Sequence, residues 1–358
     1  SVVDDKDTRV LSGVDYKHEV TEMPVTTYDG TAYDSSGGLV FMDTGDRVFM
    51  PETTYDSIGL YGQLEYTLLE KLLLRGGVRH EWVFVSFDDY TTLGQGNQIP
   101  GGTIDYSETV FNAGAVYSPI DALDFFANYA QSFELPDIGL QLRYAPAGFN
   151  VDNSDLQPII TDNYEIGTRL YAGPFNASVA GFYSKSDLGR VIIQDFALSQ
   201  ARTPERIYGV EASADYRVTP GIKLGGTFTW QEGEVYNEGR DEYIALNGHR
   251  IPPIKVTGFV DYKVAPWWRG RLQVLYSGSR DRAFEDNVGF GSRKVDPYTT
   301  VDLYNAFDVG PGTLTVAVEN LLNNRYQTVY GQLLRSGSNT SNLYARGATL
   351  RVSYSVTW

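Results

Sequence analysis

The last residues of the chain, Ala348-Thr-Leu-Arg-Val-Ser-Tyr-Ser-Val-Thr-Trp358, alternate between apolar and polar side chains at every position. Successive side chains of a β-strand point to opposite faces, so such a stretch has one apolar and one polar face. The apolar side chains are Leu350, Val352, Tyr354, Val356 and Trp358. One face suits lipid and the other suits water, which predicts a strand of a transmembrane β-barrel.

The same alternation recurs upstream, in residues 72–84, 210–218, 256–264 and 314–319, and the charged side chains fall on one side. Several apolar faces end in Tyr or Trp beside a short turn, as an aromatic belt at a membrane interface requires. The predicted belt contains Tyr66, Tyr117, Tyr216, Tyr262, Trp267, Trp268 and Trp358.

Composition excludes several other classes of protein. Hydrophobic residues make up 42% of the 358 residues, yet no run approaches the roughly eighteen apolar residues of a membrane-spanning helix. There are no cysteines, so the chain has no disulfide framework and no thiolate metal site. A net charge of −16 argues against binding to nucleic acid. The 26 Tyr and 37 Gly favour β-structure.

The pattern predicts one all-β domain over residues 1–358, with fourteen antiparallel strands, short turns at one end and long loops at the other. The predicted strands are 8–24, 56–69, 72–89, 106–118, 123–135, 161–172, 175–193, 205–218, 222–237, 251–265, 268–281, 298–309, 313–330 and 344–358. The predicted short turns are 70–71, 119–122, 172–174, 219–221, 265–267 and 310–312. The predicted long loops are 26–55, 91–104, 137–160, 194–204, 239–250, 283–297 and 331–343.

The most specific string is Val318-Glu-Asn-Leu-Leu-Asn-Asn-Arg-Tyr326, followed by a Gly/Ser/Asn-rich loop and the terminal strand. It resembles the C-terminal signature of TonB-dependent outer-membrane receptors, and among these the siderophore receptors. Four upstream strings resemble the same family in the same order. They are Gly59-Leu-Tyr-Gly-Gln63 with Leu74-Arg-Gly-Gly-Val-Arg79, Ala127-Asn-Tyr-Ala-Gln-Ser-Phe133, Asn163-Tyr-Glu-Ile-Gly-Thr-Arg169 and Tyr208-Gly-Val-Glu-Ala212.

This resemblance implies a transmembrane β-barrel of about twenty-two strands, filled by an N-terminal plug that engages TonB. The chain is too short for both parts, so we expect about fourteen of those strands, without the plug. The implied function is TonB-dependent uptake of a ferric siderophore across the outer membrane of a Gram-negative cell. No signal peptide is recognisable at Ser1, which predicts a mature product or an excised piece.

The resemblance also implies partners. These are outer-membrane lipid, the TonB complex through the plug region, and the barrel-assembly machinery, which would read the C-terminal signal Tyr354, Val356 and Trp358. The ferric siderophore is expected as cargo, with no covalently bound cofactor, no bound metal and no nucleic acid.

A ferric siderophore is bulky, often aromatic and commonly anionic, so its receptor needs Tyr, Trp, Phe and Arg at the mouth of the barrel. Position selects the candidates near the loop ends of strands. They are Phe133, Arg143, Tyr144, Tyr330, Arg335 and Tyr344. Tyr344 ranks first because the resemblance places aromatics of the last loop near the ligand.

Other readings stay open from the sequence alone. Catalysis is disfavoured, because His18, His80 and His249 have no recognisable nucleophile beside them. The acidic pairs Asp88-Asp89 and Glu285-Asp286 are expected to be solvated loops, with calcium binding as the alternative. A complete fourteen-stranded channel or hydrophobic-substrate transporter predicts a ladder between the first and last strands. A purely structural adhesin or scaffold barrel is the third reading.

Overall fold

Strands with one apolar and one polar face are stable when they pair edge to edge, and that pairing organises the chain. The computed structural model describes residues 2–5, 7–151, 157–187, 192–194, 197–199, 203–286, 291–334 and 343–357. In these residues the main element is one antiparallel sheet of sixteen strands, fourteen of which have eight residues or more.

The strands are β1 Val2–Asp4, β2 Thr8–Tyr28, β3 Asp43–Leu68, β4 Leu72–Phe87, β5 Tyr90–Thr91, β6 Gln98–Ile99, β7 Gly102–Ile120, β8 Leu123–Glu134, β9 Ile159–Ala172, β10 Phe175–Ser186, β11 Ile192–Gln194, β12 Ala197–Ser199, β13 Glu205–Thr219, β14 Ile222–Asn237, β15 Glu242–Ala245, β16 Lys255–Ala265, β17 Trp268–Ser277, β18 Tyr298–Val309, β19 Gly312–Glu319 and β20 Thr349–Val356. The helices are α1 Gly30–Ser35, α2 Ile138–Arg143, α3 Arg282–Glu285 and α4 Val329–Leu333.

The sheet is a meander in which each long strand pairs with its neighbours along the sequence. Its order is β1-β2-β3-β4-β7-β8-β9-β10-β13-β14-β16-β17-β18-β19-β20, and β15 adds to β14. The small hairpins β5-β6 and β11-β12 lie apart from it. All six predicted short turns are confirmed, because each falls between two strands that pair directly.

The strand register places apolar side chains of neighbouring strands opposite each other on one side of the sheet. Val318 lies opposite Leu350, and Leu314 lies opposite Tyr354. These side chains have no protein covering: Leu350 is 65% exposed and Val352 is 62% exposed. A continuous exposed apolar surface of this kind requires nonpolar surroundings, as lipid provides. We call this side of the sheet the apolar face and the opposite side the polar face.

Many charged side chains of the strands lie on the polar face in cross-strand ion pairs, whereas Asp56 and Asp162 lie in register with the apolar face. Arg79 on β4 binds Asp15 on β2 through two nitrogens at 2.8 and 2.9 Å, and its Nε binds Glu81 at 2.8 Å. Arg271 on β17 makes a bidentate pair with Asp261 on β16, with hydrogen bonds of 2.6 and 2.9 Å. Paired opposite charges on one face confirm the predicted division of the strands.

The first hairpin is longer than predicted, so the boundaries 8–24 and 56–69 were wrong. Strand β2 continues to Tyr28, and β3 begins at Asp43. Register shifts between Thr21 and Met23 and between Met23 and Pro24 carry the ladder past the proline, which lacks an N–H. The predicted loop 26–55 therefore shrinks to residues 29–42, which include α1.

The predicted strand 313–330 was also too long, because β19 ends at Glu319. Asn320 and Asn323 take positive φ values of 49° and 52°, a conformation that asparagine tolerates but a strand does not. The Asn320 side chain donates to the carbonyls of Asn324 at 2.9 Å and Arg346 at 3.2 Å. It thus ties the turn to the segment that leads into the last strand.

The last strand starts at Thr349 rather than at residue 344, and Trp358 lies outside the described residues. Further predicted ends were wrong by four residues or more, among them the start of the strand predicted at 106, which begins at Gly102. The strand predicted to begin at 251 begins at Lys255, since Pro252 and Pro253 cannot donate to a ladder. The strands predicted to end at 281 and 193 end at Ser277 and Ser186.

Among the described residues, no ladder joins the two ends of the sheet. In the part of the chain that the structure describes, the partner of β20 is β19, and the partners of β2 are β1 and β3. The ladder between the first and last strands that a complete fourteen-stranded channel requires is not formed. This pairing contradicts that reading.

Among the described residues, no helix has both the length and the apolar character that crossing a membrane would require.

Placing a charge on the apolar face should destabilise the protein, whereas the same charge on the polar face should not. Leu272 lies at the middle of β17 on the apolar face, and Gln273 follows it on the polar face. We expect Leu272→Arg to lower the free energy of unfolding in lipid vesicles by about 2–4 kcal/mol. Gln273→Arg should change it by no more than about 0.5 kcal/mol. Urea titration followed by tryptophan fluorescence measures both, and equal losses would contradict the assignment of faces.

Candidate functional site

At the loop end of β4 the alternation stops, because Trp82-Val-Phe-Val-Ser-Phe87 is apolar on both faces. The residues on the polar side of this stretch are buried: Val83 is 4%, Val85 0% and Phe87 5% exposed. They are covered by the loop that follows β8, through Ile138 and Leu142 of α2. We call residues 135–151 the inward loop, because it packs on the polar face near the loop end of the sheet.

Hydrogen bonds hold the inward loop in place. The Asp137 carboxylate caps α2 by accepting from the Leu140 N–H at 2.9 Å. The Tyr90 hydroxyl, on the small hairpin β5-β6, donates to the Leu142 carbonyl at 2.5 Å. Burial raises the pKa of Tyr90, so this hydroxyl remains a donor at neutral pH.

Three predicted site residues meet at the inward loop. The Arg143 guanidinium lies 3.5 Å from the centre of the Phe49 ring and 4.8 Å from that of Tyr144. Phe133 packs against the buried cluster beneath the loop. Phe49 was missed by the sequence reasoning, because it precedes Arg143 by a long stretch of chain and lies in a predicted loop that is really part of β3.

The other predicted aromatics lie in a second group, formed by the later loops. Tyr330 of α4 is 63% exposed, and its ring meets the His249 ring edge to face at 5.6 Å. Tyr344 is 47% exposed and lies 4.1 Å from the Arg325 guanidinium. Arg335 lies outside the described residues. We call the loop segments 238–254, 278–286, 291–297, 320–334 and 343–348 the late loops.

The late loops interlock through close packing. Leu333 and Ile251 are both fully buried. A Cβ at Gly248 would lie only 2.8 Å from a methyl carbon of Leu333, so a side chain there would force the buried Leu333 to shift. The Gln332 side chain donates to the Asp296 carbonyl at 3.0 Å and accepts from the Asp296 N–H at 2.7 Å.

An ion network anchors the late loops to β13 and β14. Arg250 binds Glu205 through both terminal nitrogens, at 2.7 and 3.1 Å. Arg280 binds Glu232 at 3.0 Å. Arg282 bridges Glu232 and Glu234, at 3.3 and 3.1 Å. Several of these charged groups are largely buried, so each is stabilised by its ion-pair partner rather than by water. The network thereby fixes the positions of the late loops.

One carboxylate of each acidic loop pair accepts a hydrogen bond from the backbone of another segment. Asp89 accepts from the Gly101 N–H at 2.6 Å, and Asp286 accepts from the Ala245 N–H at 2.7 Å. Over the residues that the structure places, no group of three or more His, Asp or Glu is arranged to hold a metal ion.

The three histidines lie in separate surroundings. His18 is 2.9 Å from Asp56 on the first hairpin, and His80 stacks edge to face on Trp82 at 4.1 Å on the apolar face. His249 belongs to the late loops. The described residues therefore bring no two histidines together in the way a catalytic pair would require.

The inward loop and the late loops each present ring faces beside a guanidinium at the loop end of the sheet. No described contact joins the two groups. Such surfaces can stack on planar groups and pair with carboxylates.

Comparisons with known proteins agree with this architecture. The family model described as "TonB dependent receptor-like, beta-barrel" matches residues 3–321. The ferric aerobactin receptor of Klebsiella pneumoniae is 29% identical over 97% of this chain, and the rhizobactin receptor of Rhizobium meliloti (strain 1021) is 27% identical over 96%. The chain spans about half the length of these relatives, 50% and 49% respectively. Among solved structures, the copper transporter OprC superimposes with a TM-score of 0.78 at 17% identity, over 98% of this chain and 53% of that one.

The packing of the late loops should weaken at acidic pH through His249. Burial lowers the pKa of this residue below its ordinary value of 6.5. When the late loops detach and expose His249, the imidazole regains its ordinary pKa and binds protons more readily than in the packed state. The packing is therefore fully stable above about pH 6.5 and weakens as the pH falls below it. We expect hydrogen exchange in residues 243–254, corrected for the intrinsic rate, to be less protected at pH 5.5 than at pH 7.5.

His249→Gln should remove this pH dependence, and His18→Gln, which changes a histidine outside the late loops, should leave it intact. The same pH dependence in His249→Gln as in the unsubstituted protein would contradict the assignment.

Proposed function

Because the chain belongs to the TonB-dependent receptor-like β-barrel family, we propose that it forms part of the wall of an outer-membrane receptor that takes up a ferric siderophore. The observation that carries the proposal is the similarity to two siderophore receptors along almost the whole chain. The ferric aerobactin receptor matches over 97% of it and the rhizobactin receptor over 96%. The solved structures, at 20% identity or less, support the fold alone.

The proposal includes a location and partners. The exposed apolar face would contact the lipid of a Gram-negative outer membrane, and energy would come from the TonB complex through a part of the receptor outside this chain. Tyr354 and Val356 lie on the apolar face of β20, where the assembly machinery would read them together with Trp358. The family consists of receptors and transporters, so transport rather than catalysis is proposed, with the ferric siderophore as cargo.

We assign ligand contact to two exposed rings of the late loops and to one arginine of the inward loop. Tyr330 and Tyr344 each contact one protein group, His249 and Arg325 respectively, and their remaining exposed surface would stack on a chelate. Arg143, which contacts the Phe49 and Tyr144 rings, would pair with an anionic oxygen. Phe133 packs beneath the inward loop, so its role would be to hold that loop. Arg335 remains a prediction from the sequence.

The test is equilibrium binding of ferric aerobactin and ferric rhizobactin to the full-length receptor in detergent. The unsubstituted receptor should bind at least one of them. Tyr330→Ala and Tyr344→Ala should each weaken binding by about 2- to 10-fold, the value of a lost aromatic contact. Tyr216→Ala is the matched control, because Tyr216 is 45% exposed but lies at the turn end of β13. Binding of neither chelate, or an equal loss in the control, would contradict the proposal.

A further inference from the structure

Four tyrosines lie side by side on the apolar face, near the loop end of the sheet. Tyr129 of β8 lies opposite Tyr164 of β9, and their rings are 5.1 Å apart. Tyr183 of β10 lies between Tyr164 and Tyr208 of β13 in the ladder. We call these residues the tyrosine row. Tyrosines collect where lipid tails meet headgroups, and the long loops of such barrels are extracellular, so the row marks the outer boundary of the membrane.

A row of charged side chains lies directly above the tyrosine row. Residues two apart on a strand share a face, so Asp162, Lys185 and Arg206 stand two residues closer to the loops on the apolar face. Glu234 of β14 lies opposite Arg206 and completes the series. We call these four residues the charged row. Two residues span about 6–7 Å along a strand, which places the charged row at the depth of the lipid headgroups.

The two cations of the charged row are neighbours, because Lys185 lies opposite Arg206. Like charges opposite each other in a ladder destabilise it, and a counterion removes that repulsion. Asp162, on the other side of Lys185, accepts hydrogen bonds from the Tyr129 hydroxyl at 2.8 Å and the Gln131 amide at 3.1 Å. Among the residues that the structure describes, no carboxylate lies within 4 Å of the Lys185 ammonium, and this side chain is exposed.

Arg206 is held in one orientation. Its Nε and Nη2 bind the Glu234 carboxylate at 2.7 and 2.6 Å. The Tyr243 ring of β15 lies across the guanidinium, with its centre 4.0 Å away. Even so, 37% of the Arg206 side chain stays exposed. An anion would meet an arginine that is already oriented, which lowers the entropy cost of binding, and guanidinium groups suit phosphate oxygens.

The exposure of the charged row does not come from the open ends of the sheet. Strands β9, β10 and β13 lie in the middle of the ladder, and each has a paired strand on both sides. The row also lies on the face assigned to lipid, so protein packed against the polar face would leave it uncovered.

We propose that Lys185 and Arg206 bind a phosphate of the glycolipid that forms the outer leaflet of the Gram-negative outer membrane. The inference rests on the membrane location in the proposed function and adds to it a specific lipid site. Charge complementarity selects this occupant, because two adjacent cations at headgroup depth stand above rings that contact the acyl chains. The phosphate would bridge Lys185 and Arg206 and relieve their repulsion.

The experiment is native mass spectrometry of the full-length receptor in detergent. The added probe is lipid A, the acylated diphosphoryl glucosamine disaccharide of that glycolipid. Lys185→Gln should weaken binding of lipid A by about 3- to 10-fold, since one cation near a membrane surface contributes about fivefold to the binding of anionic lipid. Lys185→Arg keeps the charge and should bind within about twofold of the unsubstituted receptor. Dephosphorylated lipid A should bind equally to all three proteins.

The matched control is Lys255→Gln, which removes the same charge from an exposed position on the polar face of β16. It should leave binding of lipid A unchanged. Phosphatidylglycerol is titrated in parallel as a phospholipid with one phosphate, and its binding should not depend on Lys185. Should Lys185→Gln fail to fold, Lys185→Met, which suits the apolar face, should show the same selective loss.

Undiminished binding of lipid A by folded Lys185→Gln would overturn the inference. An equal loss in Lys255→Gln, or an equal loss for dephosphorylated lipid A, would overturn it as well, because the effect would then not come from a phosphate at the charged row. A loss of the same size for phosphatidylglycerol would make the glycolipid the wrong occupant. None of these measurements involves an iron chelate, so a failure here leaves the proposed cargo to be decided by the binding of ferric aerobactin and ferric rhizobactin.

Discussion

The whole structure depends on pairing every backbone N–H and C=O along the strands, because lipid offers no hydrogen-bond partner to a group left over. Along the ladder from β2 to β20, each interior strand meets that requirement through two antiparallel neighbours. Once the ladder is set, alternation fixes which side chains face lipid and which face the polar side. The cross-strand ion pairs of the polar face follow from this register.

The surfaces proposed for ligand contact lie where the regular strand pattern is interrupted. Residues 82–87 are apolar on both faces, and the inward loop packs there. The positive φ of Asn320 ends β19 and starts the late loops. At each interruption the alternating strand pattern ends, and the loops form a surface that can contact a ligand.

The sequence predicted the fourteen long strands and the six short turns, since alternation and turn residues are local signals. It did not predict the ends of the first hairpin, because bulges around Pro24 continue a ladder that the local pattern does not show. For the candidate site, Arg143 and Tyr144 are neighbours in the sequence, whereas Phe49, which contacts Arg143, comes from a distant part of the chain and gave no local signal. The doubly apolar run 82–87 was the one local signal that could have revealed the inward loop.

The central claim is that this chain is a barrel wall with lipid on the apolar face and water on the polar face. The chain has no cysteine, so single cysteines placed in turn at positions 269–276 of β17 can be labelled without background. In the receptor reconstituted in lipid vesicles, nitroxide labels at 270, 272, 274 and 276 should contact a lipid-soluble relaxation agent. Labels at 269, 271, 273 and 275 should contact a water-soluble one. A signal without this period of two, or with the two faces exchanged, would contradict the account.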